Sequence, residues 1–193
     1  MRLGNVTFMA IAMGLIWGGI WMVLTSLMMM LVTGLIVVPN IGIAALVGAG
    51  AALGVLLLTA EVRGRNSLSS IAGIAAVAVI LLTGGQPFSL PLEEALFTQV
   101  IALIIWAILA VASLAMCLHG YEAGTAKRYR VEVLVIRTLK GLGLLLFSVF
   151  VALPFYVMVM TSLKSQQSLL ANPLDFSIDL SKGMATLFRS YIE

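Results

Sequence analysis

Apolar residues run through this chain in long uninterrupted stretches that are separated by short polar connections. Between Arg2 and Glu61 lie 58 consecutive residues without a formal charge. As one helix, that stretch would extend roughly 90 Å at about 1.5 Å per residue, whereas the hydrocarbon core of a bilayer is about 30 Å thick. The pattern therefore predicts at least two membrane-spanning segments in this stretch, with a turn between them.

Over the whole chain, the same pattern predicts about five membrane-spanning helices. The first two are separated at Val38-Pro39-Asn40, because proline removes a backbone donor and disfavours helix at the residue before it. The third segment is short and rich in alanine, so a re-entrant segment is the alternative to a full span there. The expected spans lie within residues 8–37 and at about residues 41–60, 68–83, 96–118 and 142–163.

Composition agrees with a membrane-embedded chain. Hydrophobic residues make up 62% of the sequence and charged residues only 10%, with a mean hydropathy of +1.15. A typical soluble domain is about 45–50% apolar and about 25% charged. The expected fold class is therefore an all-α integral membrane protein of about five transmembrane helices, followed by an extracytoplasmic C-terminal tail over residues 164–193.

The distribution of lysine and arginine predicts how the chain is oriented. With a cytoplasmic N-terminus and five spans, eight basic residues fall on the cytoplasmic side and three fall outside, as the positive-inside tendency requires. The lysines and arginines are grouped in the short connections between the apolar stretches. Their role in setting the topology therefore explains the net charge of +3 without a nucleic-acid partner. The residues expected to set the topology are Lys127, Arg128, Arg130, Arg137 and Lys140.

Two segments outside the spans carry apolar residues at helical spacing. One runs from Val131 to Leu142 and the other from Leu180 to Ile192. The first stripe consists of Val131, Leu134, Val135, Thr138, Leu139 and Leu142. Such stripes are typical of helices that lie along a membrane surface or dock against another protein, and the spacing leaves both alternatives open.

Small residues at a spacing of four suggest close helix packing. Gly14-x-x-x-Gly18 and Gly50-x-x-x-Gly54 both fit the pattern by which membrane helices approach one another closely. Glycine is common in membrane helices, so chance accounts for these two motifs about as well as packing does.

Catalytic chemistry is difficult to assemble from these residues. The single histidine, His119, and the single cysteine, Cys117, are two residues apart and do not share a helical face. The chain contains no Gly-x-x-x-x-Gly-Lys-Ser/Thr loop that would cradle a nucleotide phosphate. We therefore expect no catalytic site, no cofactor and no metal, and any ATP hydrolysis would belong to a partner subunit.

The most informative stretch runs from Leu153 to Lys164 and reads Leu-Pro-Phe-Tyr-Val-Met-Val-Met-Thr-Ser-Leu-Lys, with Asn-Pro shortly after it. It resembles the first core helix of the second permease subunit of carbohydrate ABC importers, the maltose-permease-like family. The resemblance covers about residues 137–193. The motif residues are Pro154, Phe155, Tyr156, Thr161, Ser162, Leu163, Lys164, Asn172 and Pro173.

The resemblance implies that this chain is the N-terminal part of a permease subunit in an ATP-driven importer for sugars or related solutes. Its implied partners are a second permease subunit, cytoplasmic ATPase subunits and an extracytoplasmic solute-binding protein, in a bacterial inner membrane. Residues 1–140 would form a leading membrane module of about four helices, and residues 141–193 would form the first core helix and an extracytoplasmic segment. The alternative is a small membrane scaffold or assembly subunit with no transport activity of its own.

Overall fold

The computed structural model describes residues 3–33, 36–58, 65–89, 92–118 and 129–163. Within these residues the chain forms five α-helices and no strand, in agreement with the expected all-α class. The helices are α1 (Leu3–Thr33), α2 (Ile41–Leu58), α3 (Arg65–Leu82), α4 (Leu92–Leu118) and α5 (Tyr129–Leu163).

Helices α1 to α4 form a four-helix bundle. Helix α1 packs against α2 and α4, and α3 packs against the same two helices. The buried core consists of apolar side chains from all four helices, among them Met13, Val55, Val79 and Trp106. Helix α5 contacts the bundle through α1 and α4.

The closest helix crossing in the bundle joins α1 and α2 through small residues. A side chain added at Gly14 would collide with the carbonyl of Gly48, and one added at Gly18 would lie 2.6 Å from the carbonyl oxygen of Ala44. Gly14-x-x-x-Gly18 is therefore a packing motif, and its partner on α2 is Ala44-x-x-x-Gly48. The other glycine pair has no such role, because Gly50 has open space beside it.

Two connections meet at one end of the bundle. The backbone N–H of Asn40 donates to the carbonyl of Pro87 at 3.1 Å, and that of Ser89 donates to the carbonyl of Val38 at 3.0 Å. The N–H of Val38 in turn donates to the Ser89 hydroxyl at 2.8 Å, and Phe88 is buried between the connections. These bonds tie the α1–α2 hairpin to the α3–α4 hairpin. The start of α5 and the ends of α2 and α4 consequently lie at the opposite end.

Three of the described helices are long and apolar enough to cross a membrane: the segments Thr7–Leu31, Phe97–Leu118 and Glu132–Val159. Helices α2 and α3 are shorter, with 18 residues each, or about 27 Å against a hydrocarbon core of about 30 Å. Large apolar side chains are exposed on all five helices. So much exposed apolar surface fits a membrane protein, because it is far more than soluble monomers expose.

Helix α5 begins earlier than the expected fifth span. It starts at Tyr129 and continues without a break through residue 142 to Leu163. Part of the stripe over residues 131–142 packs on the chain's own bundle, because Leu134 and Thr138 are buried and Leu142 packs against the bundle core, whereas Val135 and Leu139 of the same stripe are exposed. The second stripe, over residues 180–192, lies outside the described residues.

Candidate functional site

The motif that resembles a permease helix lies in the last third of α5. Pro154, Phe155, Tyr156, Thr161, Ser162 and Leu163 all belong to this helix, whereas Lys164, Asn172 and Pro173 lie outside the described residues. The Ser162 hydroxyl donates to the carbonyl of Val159 at 2.7 Å, within the helix. The structure thus places six of the nine motif residues on one continuous helix.

The distal part of α5, which we define as residues 144–159, is largely uncovered by the other residues that the structure describes. Phe147 is 68% exposed, Phe150 is 75% exposed and Phe155 is 60% exposed. In the most apolar stretch of α5, within Glu132–Val159, no residue is buried, whereas half of the most apolar stretch of α4 is buried. Apart from Leu145, which packs against the bundle core, this distal part therefore offers most of its surface to lipid or to other helices.

Pro154 changes the hydrogen bonding of this exposed helix. Proline has no N–H, so the carbonyl of Phe150, four residues earlier, loses its usual helical donor. Inside a membrane, such a carbonyl is satisfied by a neighbouring helix, a side-chain hydroxyl or water. The distal part of α5 thus carries, besides Ser148 and Tyr156, a polar backbone atom on a mainly apolar surface.

The N-terminal half of α5 is anchored to the bundle at a joint formed by Trp17, Cys117, Leu134, Thr138 and Gly141. Leu134 and Thr138 are buried, and the Thr138 hydroxyl donates to the carbonyl of Leu134 at 2.8 Å. A Cβ at Gly141 would lie 3.0 Å from the Trp17 ring, so this glycine permits the helix to sit directly on the indole.

Cys117 and Trp17 meet inside the joint. The Cys117 thiol is buried beside Trp17 and Thr138. The Trp17 Nε1–H is also buried and has no hydrogen-bond acceptor among the described residues, so its contact with the sulfur is at most a weak one.

Two of the five basic residues expected to set the topology have described side chains, and both are exposed on α5. The Arg137 guanidinium donates to the carbonyl of Cys117 at 3.3 Å, near the C-terminal end of α4, where a cation is favoured by the helix dipole. Lys140 lies one turn further along. Lys127, Arg128 and the side chain of Arg130 are outside the described residues.

Tryptophan contacts between α1 and α4 are a feature that the sequence reasoning missed. The Trp106 indole donates to the carbonyl of Gly18 at 2.9 Å, and the Trp21 indole donates to the Ser113 hydroxyl at 2.8 Å. The tryptophans themselves could have indicated these contacts, because a buried indole N–H in an apolar span usually finds a hydrogen-bond acceptor, here on a neighbouring helix. These bonds set the register of α1 against α4 and so position the joint with α5.

The described residues hold no group of three or more histidine, cysteine, aspartate or glutamate side chains that could bind a metal. Compared with protein-family models, curated proteins and solved structures, the chain matches none. We therefore infer the function from the residues of the chain and from the exposure of α5.

Replacing Gly141 by leucine is expected to push α5 off Trp17 and to open the joint around Cys117. The added side chain has no space, because even a Cβ there would be in tight contact with the indole ring. We expect Cys117 to react with a small maleimide at least several times faster than in the unmodified protein. The measurement is the rate of thiol labelling in detergent micelles.

Gly143→Leu is the matched control, because a Cβ at this neighbouring glycine would meet nothing within 4 Å. It should leave the labelling rate of Cys117 unchanged. Equal acceleration by both variants would show that the joint does not depend on the contact between Gly141 and Trp17.

Proposed function

We propose that this chain is part of the membrane-spanning permease subunit of an ATP-driven importer for sugars or related solutes. In this arrangement it crosses the bacterial inner membrane five times, with the N-terminus in the cytoplasm and the tail after α5 outside. ATP hydrolysis belongs to cytoplasmic partner subunits, and a solute-binding protein delivers the solute from outside. The support from sequence is the motif from Pro154 to Lys164.

The observation that carries the proposal is the contrast between the anchored and the uncovered halves of α5. Its first half packs on the bundle at Leu134 and Thr138, whereas none of the other described helices covers most of the distal part. A first core helix of a permease would present such a surface to the other helices of the transport core. The carbonyl released by Pro154 adds a polar contact point for one of them.

Five crossings require that α2 and α3 also span the bilayer. Each is about 3 Å shorter than a typical hydrocarbon core, a mismatch that bilayer thinning or flanking residues accommodate at a modest cost. Both helices pack against the longer α4. Helix α2 contains no charged residue, and the one in α3 is Arg65 at its first position. Full spans for both helices give the odd number of crossings that separates the two chain ends.

One observation favours the alternative, a membrane scaffold or assembly subunit, for the four-helix bundle itself. The hydroxyls of Thr25, Ser26 and Ser113 are buried but donate to carbonyls of their own helices. These hydroxyls are thus engaged by their own helices, and in the case of Ser113 also by the Trp21 indole, and we do not assign them to a polar path. Under either function, we assign the bundle to holding α5 in place and not to contacting solute.

Co-purification tests the permease proposal against the scaffold alternative. The gene product, tagged and expressed at its native level, should recover a cytoplasmic ATPase subunit and a second multi-span permease from solubilised membranes, both identified by mass spectrometry. Recovery of neither partner would contradict the proposal.

A bulky substitution on α5 tests whether this helix is the one that contacts the second permease. Ala152→Trp lies on the exposed distal part of α5 and is expected to reduce recovery of the second permease strongly. Ile74→Trp changes a residue on α3 that is 70% exposed and should leave recovery unchanged. If both variants recover the partner equally well, α5 is not the docking helix.

A further inference from the structure

Arg137 and Lys140 form a pair of cations at the membrane edge of the joint between α4 and α5. They are three residues apart on α5, a spacing at which side chains on a helix are neighbours. Both side chains are exposed.

The contact between Arg137 and the carbonyl of Cys117 shows how deep this pair lies. Cys117 is the second-last residue of α4, so Arg137 is level with the last turn of a membrane-length helix. Lys140 lies about 4.5 Å further along α5, on the side of the hydrocarbon. Its ammonium group must reach back towards the surface or meet an anion at that depth.

The neighbouring side chains suit a lipid better than a soluble anion. Ile136 is 50% exposed, Leu139 is 63% exposed and Leu144 is 68% exposed, so apolar surface borders the two cations on the same helix. An acyl chain can cover these residues while a phosphate reaches the cations. Basic sites between helices at the cytoplasmic side of membrane proteins bind anionic headgroups in this manner.

We propose that Arg137 and Lys140 bind the phosphate of an anionic membrane phospholipid at the edge of the α4–α5 joint. The lipid would fill the outer side of the joint and hold α5 against α4. This binding does not depend on the transport function, since it needs only the helices that the structure describes.

Native mass spectrometry of the purified chain with phosphatidylglycerol and phosphatidylcholine tests the proposal. The unmodified protein should retain phosphatidylglycerol in preference to phosphatidylcholine. Each cation near the membrane surface contributes a factor of about five, so Lys140→Gln should weaken phosphatidylglycerol binding about fivefold and the Arg137→Gln/Lys140→Gln double variant roughly thirtyfold. Lys140→Gln leaves the Arg137 contact with α4 intact and therefore tests the site even if the double variant folds poorly.

Arg63→Gln/Arg65→Gln is the matched control, because it removes the same charge from the α2–α3 connection and the first residue of α3. It should change phosphatidylglycerol binding less than about twofold, if the pair on α5 is the site. Equal losses in both double variants would show general attraction to the basic side and would overturn the proposal. The absence of any preference for phosphatidylglycerol, or its displacement by millimolar inorganic phosphate, would overturn it as well.

Discussion

Replacing Gly48 by alanine is expected to destabilise the bundle by about 1–3 kcal/mol, although only one methyl group is added. The same substitution at Gly50, two residues further along α2, is expected to be neutral or slightly stabilising. The opposite results follow from what each methyl group would touch.

At Gly48 the new methyl group would meet backbone and not a flexible side chain. It would collide with the carbonyl of Gly14 and lie 2.9 Å from the Cα of Gly18, both on α1. Backbone atoms of a helix cannot move aside singly, so α1 and α2 would have to separate along their whole crossing. In a membrane this separation is costly, because close packing is a main source of helix association where no hydrophobic effect between helices operates.

At Gly50 a methyl group would meet nothing within 4 Å. Alanine has a higher helix propensity than glycine, by up to about 1 kcal/mol in a helix interior. The measurement is unfolding by SDS from mild detergent micelles, followed by circular dichroism. Equal stability of the two alanine variants would contradict the α1–α2 crossing described here.

The helix positions were largely predictable from sequence. Apolar runs and Pro39 locate α1 to α4 to within a few residues, because proline and polar connections interrupt the helices where the pattern changes. The start of α5 was not predictable in this way. Residues 131–142 carry both an apolar stripe and cations, and only the packing of Leu134 and Thr138 on the bundle shows that they continue the membrane helix.

Helix pairing was only half predictable. The sequence left packing and chance open for both glycine motifs. The structure shows close packing at Gly14 and Gly18 but open space at Gly50. Helix α2 has small residues on every side, including Ala44, Gly48 and Gly50, so spacing alone does not show which side faces α1. That choice depends on the tertiary arrangement of all four helices.

The candidate site was also predictable only in part. The motif from Pro154 onwards can be identified in the sequence, and the structure places its described residues on α5. The sequence does not distinguish a packed apolar helix from an uncovered one, because both consist of leucine, valine and phenylalanine. The joint at Trp17 and Gly141 brings together residues that are more than 120 positions apart, and no local pattern connects them.

The expected membrane arrangement places the two hairpin connections on one side and the basic connection between α4 and α5 on the other. The hydrogen bonds between residues 38–40 and 87–89 hold the first two together at one end of the bundle. Helix α4, with 27 residues, or about 40 Å, separates that end from its own C-terminus. The side chains of Asn40 and Gln86 are exposed at the hairpin end, so each position suits a labelling probe.

The most direct test uses single cysteines in a Cys117→Ala background and a membrane-impermeant maleimide. Asn40→Cys and Gln86→Cys are expected to react in intact spheroplasts. Ala123→Cys, in the connection between α4 and α5, is expected to react only in inverted vesicles. The effect is all or none, because α4 must carry the chain across the bilayer between these positions. Labelling of Gln86→Cys and Ala123→Cys from the same side would contradict a bundle that crosses the membrane.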